Sequence, residues 1–260
     1  MTNLVRITYE TMPCLQGQCT VATLTLNRPE RANALVPELV HQLLHALEDV
    51  RDQTPDVLVL QAAGKTFSTG GDVTAFYQQP NAVRAEYASA LVGSLHDAIL
   101  ALTQLPCPTV AKVHGLVTGG SLGLVLACDV VIGTWEAQFA PWYARVGFAP
   151  DGGWTALLPE RIGRTRSLDL LLTNRTLAAE EAHHLGLLTY LVSATELTEA
   201  THEVVQQITT GYRSSHRHTL TLMRPEPIQL AAKLRAEQHL FCQQIMTPDA
   251  DHGMAAFLTT

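Results

Sequence analysis

The sequence predicts an α/β fold built as a spiral of repeated β–β–α turns with a helical C-terminal segment. Three observations predict it. Short apolar runs alternate with helix-period stretches, glycine-rich loops join run to helix at least twice, and strand signals stop near residue 195. A single dinucleotide-type β–α–β unit does not account for the repetition.

The elements follow in order. Residues 5–9 and 19–26 alternate like strands, with Gly17 marking the turn, and Asn27-Arg28-Pro29 ends the second strand. Residues 37–50 place Leu39, Leu43, Leu44 and Leu47 at helical spacing. Residues 56–60 are a short apolar run, read as a buried strand, and a Gly/Ser/Thr-rich loop covers 64–71. A long helix is predicted over 82–105, stopped by Pro106 and Pro108. Residues 109–113 are a strand closed by Gly115, Gly119-Gly120 opens a helix through Ala127, and residues 130–133 are again a strand. Beyond that, helices are expected over 153–158, 167–172, 179–185 and 196–208. Residues 224–257 are helical too, with turn signals at Pro225, Pro227 and Pro248. The expected division is a spiral core over 1–195 and a helical segment over 196–260.

Composition narrows the function classes. The chain has 260 residues and a formal net charge of -7, so it gains no electrostatic help toward nucleic acid or an anionic membrane. There is no signal-type start and no apolar run of about 18 residues, so no membrane span is expected. Five cysteines without a CxxC pair read as reduced thiols of a cytoplasmic protein; a Cys14–Cys19 hairpin disulfide is the less favoured alternative. No metal-ligand frame and no nucleotide P-loop is present, so neither metal nor cofactor is expected.

Two loops point to chemistry. Residues 64–72 read Gly-Lys-Thr-Phe-Ser-Thr-Gly-Gly-Asp, and residues 115–123 read Gly-Leu-Val-Thr-Gly-Gly-Ser-Leu-Gly, each after a strand. Consecutive glycines let backbone N–H groups face a cavity, and a helix N-terminus adds free donors. Two such loops aimed at one point would make an oxyanion hole.

These residues carry a family resemblance. Residues 27–35, Asn-Arg-Pro-Glu-Arg-Ala-Asn-Ala-Leu, resemble the NRPxxxNAL signature of the crotonase (enoyl-CoA hydratase/isomerase) superfamily. Residues 67–72 resemble its FSAGGD loop, and residues 108–120 its KPVIAAVxGxxxGGG segment. Cys128-Asp129 and Ala137-Gln138-Phe139 follow at the family spacing. The resemblance implies a crotonase-like spiral of ββα units and a C-terminal helical segment used in trimers or dimers of trimers. It also implies a coenzyme A thioester as substrate, with no further cofactor. It assigns the oxyanion donors to Gly71 and Gly120, and the coenzyme A contacts to Arg31, Ala32, Lys65, Thr69 and Gly70.

Departures from the pattern are informative. The two glutamates of the family's hydratases fall where this chain has Gly123 and Tyr143. Neither residue exchanges protons near neutral pH as a carboxylate does, so hydratase activity is doubtful. One carboxylate remains at a family-relevant position: Asp151, in Val-Gly-Phe-Ala-Pro-Asp-Gly-Gly over 146–153. This segment resembles the PDGG of the single-aspartate isomerase-like branch, and the same position is a nucleophile in the 4-chlorobenzoyl-CoA dehalogenases. Local sequence reads Asp151 as a turn residue or helix N-cap; the family register reads it as catalytic. Trp142, Tyr143 and Gly123 are assigned to the acyl pocket. His96 on the long helix and His114 before the glycine turn are read as packing, and Asp72 and Asp129 as loop holders. The expected function is double-bond isomerisation of an acyl-CoA thioester by a single Asp acid/base. The alternatives are a hydrolase or dehalogenase with an Asp nucleophile, an enoyl-CoA hydratase, and a non-catalytic acyl-CoA-binding subunit. The C-terminus, His252 to Leu258, resembles the family's EGxxAFL and then stops at Thr260, which leaves the carrier open: coenzyme A or a carrier protein.

Overall fold

A computed structural model describes residues 3–15 and 17–259. The first strands, β1 (Val5–Cys14) and β2 (Gly17–Leu26), form a long antiparallel hairpin. After a 3-10 turn at Pro29–Arg31 comes α1 (Pro37–Gln53), started by Pro37 at its first turn. Its Leu39, Val40, Leu43, Leu47 and Val50 are buried on one face. Each such side chain contributes about 1.5–3 kcal/mol of transfer free energy, so packing rather than propensity holds the helix down.

Strand β3 (Val57–Ala62) is followed by a short α2 (Val73–Gln78) and the long α3 (Asn81–Thr103). Then come β4 (Thr109–Val113), β5 (Leu116–Thr118), α4 (Ser121–Leu126), β6 (Val130–Thr134) and β7 (Gln138–Ala140). Next are α5 (Tyr143–Val146), α6 (Leu158–Ile162), α7 (Arg164–Thr173), β8 (Leu177–Ala178), α8 (Ala179–His184) and β9 (Tyr190–Val192). The chain ends in α9 (Leu197–Thr209), α10 (Arg213–Met223), α11 (Pro227–Gln244) and α12 (Pro248–Leu258).

The strands form two sheets. One has six strands in the order β1-β2-β3-β4-β6-β9, parallel after the first hairpin. The other has three, β5-β7-β8, with β5 and β7 parallel. The turns β4–β5–α4 and β6–β7–α5 each leave one strand in each sheet before a helix returns the chain, as expected of a ββα spiral. The alternating placement explains why β5, β7, β8 and β9 escape a periodicity reading. They have 3, 3, 2 and 3 residues, too short to show a period.

Two expectations change. Cys14 and Cys19 are joined by a disulfide, whereas all five thiols were expected free; Cys107, Cys128 and Cys242 are free. The hairpin register pairs Cys14 with Gly17 and Met12 with Cys19, which brings the two Cα atoms to 5.7 Å, within disulfide range. The helix expected over 153–158 begins only at Leu158, because Gly152 and Gly153 both have positive φ and hold that stretch in turns. The last helices, α11 and α12, also pack into the core. Leu230, Leu234, Phe241, Ile245, Ala250 and Met254 belong to the main apolar cluster.

Candidate functional site

The two glycine loops are zipped together. Ser68 N–H donates to the Leu116 carbonyl (3.1 Å) and Thr118 N–H to the Ser68 carbonyl (3.1 Å). The Ser121 hydroxyl reaches the carbonyls of Thr118 (2.7 Å) and Ser68 (3.2 Å). Gly70 has φ +73°, and a Cβ there would lie 2.5 Å from the Thr118 carbonyl oxygen, so close approach of the loops requires glycine. Asn33, fully buried, organises the first loop. Its Nδ2 donates to the carbonyls of Ala63 (2.8 Å) and Thr66 (2.9 Å), and its Oδ1 accepts from Arg28 N–H (2.8 Å). Its own carbonyl accepts from the Ser68 hydroxyl at 2.8 Å. The Asn-Arg-Pro segment is therefore a brace for the glycine loop.

Between the loops lies a solvent-open cleft of about 580 Å³. Gly71 and Gly120 line it from opposite loops, with Thr69, Trp142, Tyr143 and Asp151. Among the described residues, neither the Gly71 nor the Gly120 amide donates to a protein acceptor. Leu35 N–H donates to the Gly70 carbonyl and Asp72 N–H to the Leu35 carbonyl, on either side of Gly71, and the Leu122 and Gly123 N–H groups turn back onto the carbonyls of Gly119 and Gly120, so both amides are left over by their own secondary structure. The far wall is apolar. Phe76, Phe148 and Phe241 pack with ring centroids 5.2–5.7 Å apart, and Leu91, Val92 and Leu95 of α3 close the side.

Asp151 is buried, 5% exposed. Among the described residues, it is the one acidic residue lining the inner part of this cleft. It does not cap α6, whose N-cap residue is Leu157. A Cβ placed on Gly120 would lie 3.3 Å from Asp151 Oδ1 and 3.7 Å from Oδ2, so the carboxylate sits against the Gly120 backbone. The Tyr143 hydroxyl stands 2.5 Å from Asp151 Oδ1 and 2.9 Å from the Asp151 carbonyl oxygen. This pairing satisfies both protonation states. When the carboxyl is ionised, the phenol donates to Oδ1; when it is neutral, it donates to the phenol oxygen, which then donates to the carbonyl. Burial is the main force pushing the Asp151 carboxyl up to about 7; the Tyr143 hydrogen bond opposes the rise and the charge of Glu237 adds to it. Burial, then the neighbouring Asp151 charge, holds the Tyr143 phenol well above its ordinary value.

The turn carrying Asp151 is held from behind by two residues on different helices. Gly152 N–H donates to His96 Nε2 (3.2 Å), and Glu237 accepts from Gly153 N–H (2.8 Å), Thr155 N–H (2.8 Å), the Thr155 hydroxyl (2.6 Å) and Ala156 N–H (3.0 Å). His96, read from sequence as packing, is thus buried packing that also anchors the turn. Glu237 was not singled out from sequence, yet a signal was there. Leu230, Leu234, Glu237 and Phe241 form the buried stripe of α11, and a glutamate on an apolar stripe needs buried partners.

The other site residues distribute as follows. Trp142 has a left-handed backbone (φ 51°), and its ring meets Phe257 of α12 at 6.2 Å. Arg31, Ala32 and Thr69 line an outer extension of the cleft with Asp72, Phe257 and Leu258. Asp72 caps α2, and Arg28 (3.1 Å) and Arg31 (3.4 Å) pair with it. Burial works against its charge, but the Arg28 hydrogen bond and the other donors outweigh it and hold the carboxyl below its usual value. Asp129 is structural, accepting from Thr109 N–H (2.7 Å) and Arg224. The His114 ring donates its Nε2–H to the Gly64 carbonyl (3.0 Å).

Three assigned residues do not line the cleft. Lys65 is exposed and lines neither part of it, and Gly70 sits behind the wall formed by Gly71. Gly123 does not line the pocket either. It is buried in α4 with the Gly152 carbonyl oxygen in the space where its Cβ would be, because the Asp151 turn packs directly on this helix. Among the described residues, no group of three or more His, Cys, Asp or Glu side chains is placed to hold a metal ion, and no helix is long and apolar enough to cross a membrane.

The family model described as Enoyl-CoA hydratase/isomerase matches residues 16–260. The chain is 33% identical to the 1,2-epoxyphenylacetyl-CoA isomerase of Escherichia coli over 73% of each chain. It is 32% identical to 4-chlorobenzoyl coenzyme A dehalogenase-2 of an Arthrobacter species over 72% of this chain and 68% of that one. Among solved structures, it superposes on an enoyl-CoA hydratase from Bacillus halodurans with a TM-score of 0.85 at 25% identity, covering 96% of this chain and 99% of the other.

Proposed function

The chain belongs to the enoyl-CoA hydratase/isomerase family, and from that premise we propose that it moves a double bond within an acyl-CoA thioester, using Asp151 as its single acid and base. The observation that carries this reading is Asp151 itself. Among the described residues, it is the one acidic side chain lining the inner cleft, buried, beside Gly120, with its carboxyl raised to about 7. A base poised there is ionised often enough to take a proton from carbon and acidic enough to return it.

The steps follow from the geometry. The thioester oxygen takes the two amides that the backbone leaves over, Gly71 and Gly120. Two donors lower the energy of the enolate more than that of the ground-state carbonyl, and loss of one costs about 3 kcal/mol of barrier. Ionised Asp151 removes the acidic proton, the electron pair moves onto the thioester oxygen, and the neutral acid protonates a carbon two bonds away. One carboxyl serves both positions because they lie on the same face of a planar dienolate. Tyr143 stays bonded in both states of Asp151, so the proton comes and goes without a stranded partner. Hydration would need a second carboxylate; the residues at the two family positions, Gly123 and Tyr143, supply none. Arg31, Ala32 and Thr69 on the outer cleft are the residues we assign to the coenzyme A portion. A homotrimer belongs to the same reading, and sedimentation of the purified chain tests it.

The central test is deuterium exchange. Incubation in D2O with 3-enoyl-CoA thioesters should give uptake at the α-carbon by mass spectrometry, and Asp151→Asn should abolish it while binding persists. Uptake that survives the substitution rules Asp151 out as the base.

A second reading takes Asp151 as a nucleophile on the acyl group, and one observation favours it. The imidazole of His96, which burial keeps neutral by lowering it to about 4, stands directly behind the Asp151 turn. Mass-spectrometric capture of an adduct on Asp151 would establish it.

A further inference from the structure

We propose that Glu237 is a positioning residue for Asp151: it pins the turn that carries the carboxylate and places a second negative charge behind it. This rests on Asp151 being the acid/base of the cleft.

The geometry separates Glu237 from the cleft itself. It is 4% exposed and does not line the pocket, so it acts on Asp151 from behind, through the turn and through its charge. Its four accepted bonds, from Gly153, Thr155 twice and Ala156, span the residues after Asp151 and fix the direction in which the turn leaves it. The Gly153, Thr155 and Ala156 N–H groups lie before α6, which starts only at Leu158, and so take Glu237 as acceptor in place of helical carbonyls. One helical turn further along α11, Phe241 forms part of the acyl wall, so the same helix shapes the pocket and holds the base.

The charge follows from what surrounds it. From α3, His96 Nε2 stands 3.7 Å from Glu237 Oε2. That nitrogen accepts from Gly152 N–H, so the ring proton sits on Nδ1, which has no partner among the described residues. The ring is therefore neutral and does not cancel Glu237. Tyr143 on α5 faces both Asp151 and Glu237, and Cys242 of α11 faces Asp151. No cation takes part. Burial raises the Glu237 carboxyl, and its four donors hold it down. Its remaining charge disfavours ionisation of Asp151, which keeps the carboxyl near the midpoint that proton shuttling needs.

The test is a titration of Asp151 by 13C NMR with labelled aspartate, the signal being assigned by its loss in Asp151→Asn. Glu237→Gln keeps shape and most acceptors but removes the charge. It should shift the Asp151 titration downward by about 1 unit. The acid limb of α-proton exchange should move with it, and kcat should fall with KM held within about twofold. Glu237→Ala, which frees the turn, should lose about 100-fold in kcat. An Asp151 titration unchanged in Glu237→Gln overturns the proposal. Should that variant not fold, the wild-type spectrum with labelled glutamate decides. A Glu237 carboxyl ionised where Asp151 titrates supports the proposal, and one still protonated at pH 7 overturns it. Exchange that survives Asp151→Asn would remove Asp151 as the base yet leave the measured coupling standing, so the two failures are distinct.

Discussion

At the scale of single residues, Asp151 trades stability for reactivity. Its carboxyl lies near 7 in the folded chain against an ordinary value near 3.8. A raised acid favours the protonated folded state, so its contribution is fully present below about pH 4 and is lost as pH rises through about 7. At about 1.4 kcal/mol per unit, the loss approaches about 4 kcal/mol above neutrality. Asp151→Asn removes the titration. Calorimetric melting should therefore show the variant gaining on the parent between pH 4 and pH 8, with a gap that stops widening beyond about pH 8; parallel melting curves would contradict a buried, elevated acid. The identity of this residue was legible in the sequence through the Pro-Asp-Gly-Gly register. Its environment was not. Tyr143 was expected in the pocket wall, yet its hydroxyl bonds the acid, because a phenol eight residues upstream reaches the carboxyl only once α5 has folded.

At the scale of elements, the packing of α4 against the Asp151 turn explains why position 123 is a glycine. The Gly152 carbonyl fills the space beside Gly123, and a Cβ on Gly152 would in turn meet the Gly120 backbone. A side chain at 123 and this turn exclude each other. Restoring the family carboxylate as Gly123→Glu should therefore not restore hydration. It should push the turn away, costing about 3 kcal/mol or more of stability by overpacking, a fall of about 6–12 °C in melting temperature for a domain of this size. Crotonyl-CoA hydration above background in a stably folded Gly123→Glu chain would sink this account. The sequence showed the loss of the carboxylate but not its cause, since the competing residue lies 29 positions away. The same limit hid β5, β7, β8 and β9. Strands of two or three residues are set by where longer neighbours place them, whereas α1 and α3 announced themselves by period and by their proline boundaries.

At the scale of the whole molecule, the C-terminal helices are divided between two jobs that composition does not distinguish. The surface helix α10 buries none of its residues and is tied down at its ends, by Arg213 to Asp56 and by Arg224 to Asp129 and the carbonyls of Leu105 and Cys107. Leu222 and Met223 at its end face outward, about four-fifths exposed, which suits a contact with another copy. Helices α11 and α12 turn inward. They supply Glu237 behind the Asp151 turn, Phe241 in the cleft wall, and Phe257 and Leu258 at the cleft mouth, and Arg84 of α3 clasps Asp251 of α12 at 2.5 Å. An appended oligomerisation segment and a structural wall of the cleft make different demands on the last helix. Removal of residues 248–260 should weaken thioester binding by about tenfold or more, since it strips the outer wall and exposes Phe76 and Val146. Phe257→Ala, a milder cut, should raise KM several-fold with kcat nearly unchanged, the pattern of lost uniform binding. Sedimentation run beside the binding assay separates the two roles. Weakened binding with unchanged assembly places α12 in the cleft, whereas altered assembly with intact thioester binding would return it to the interface.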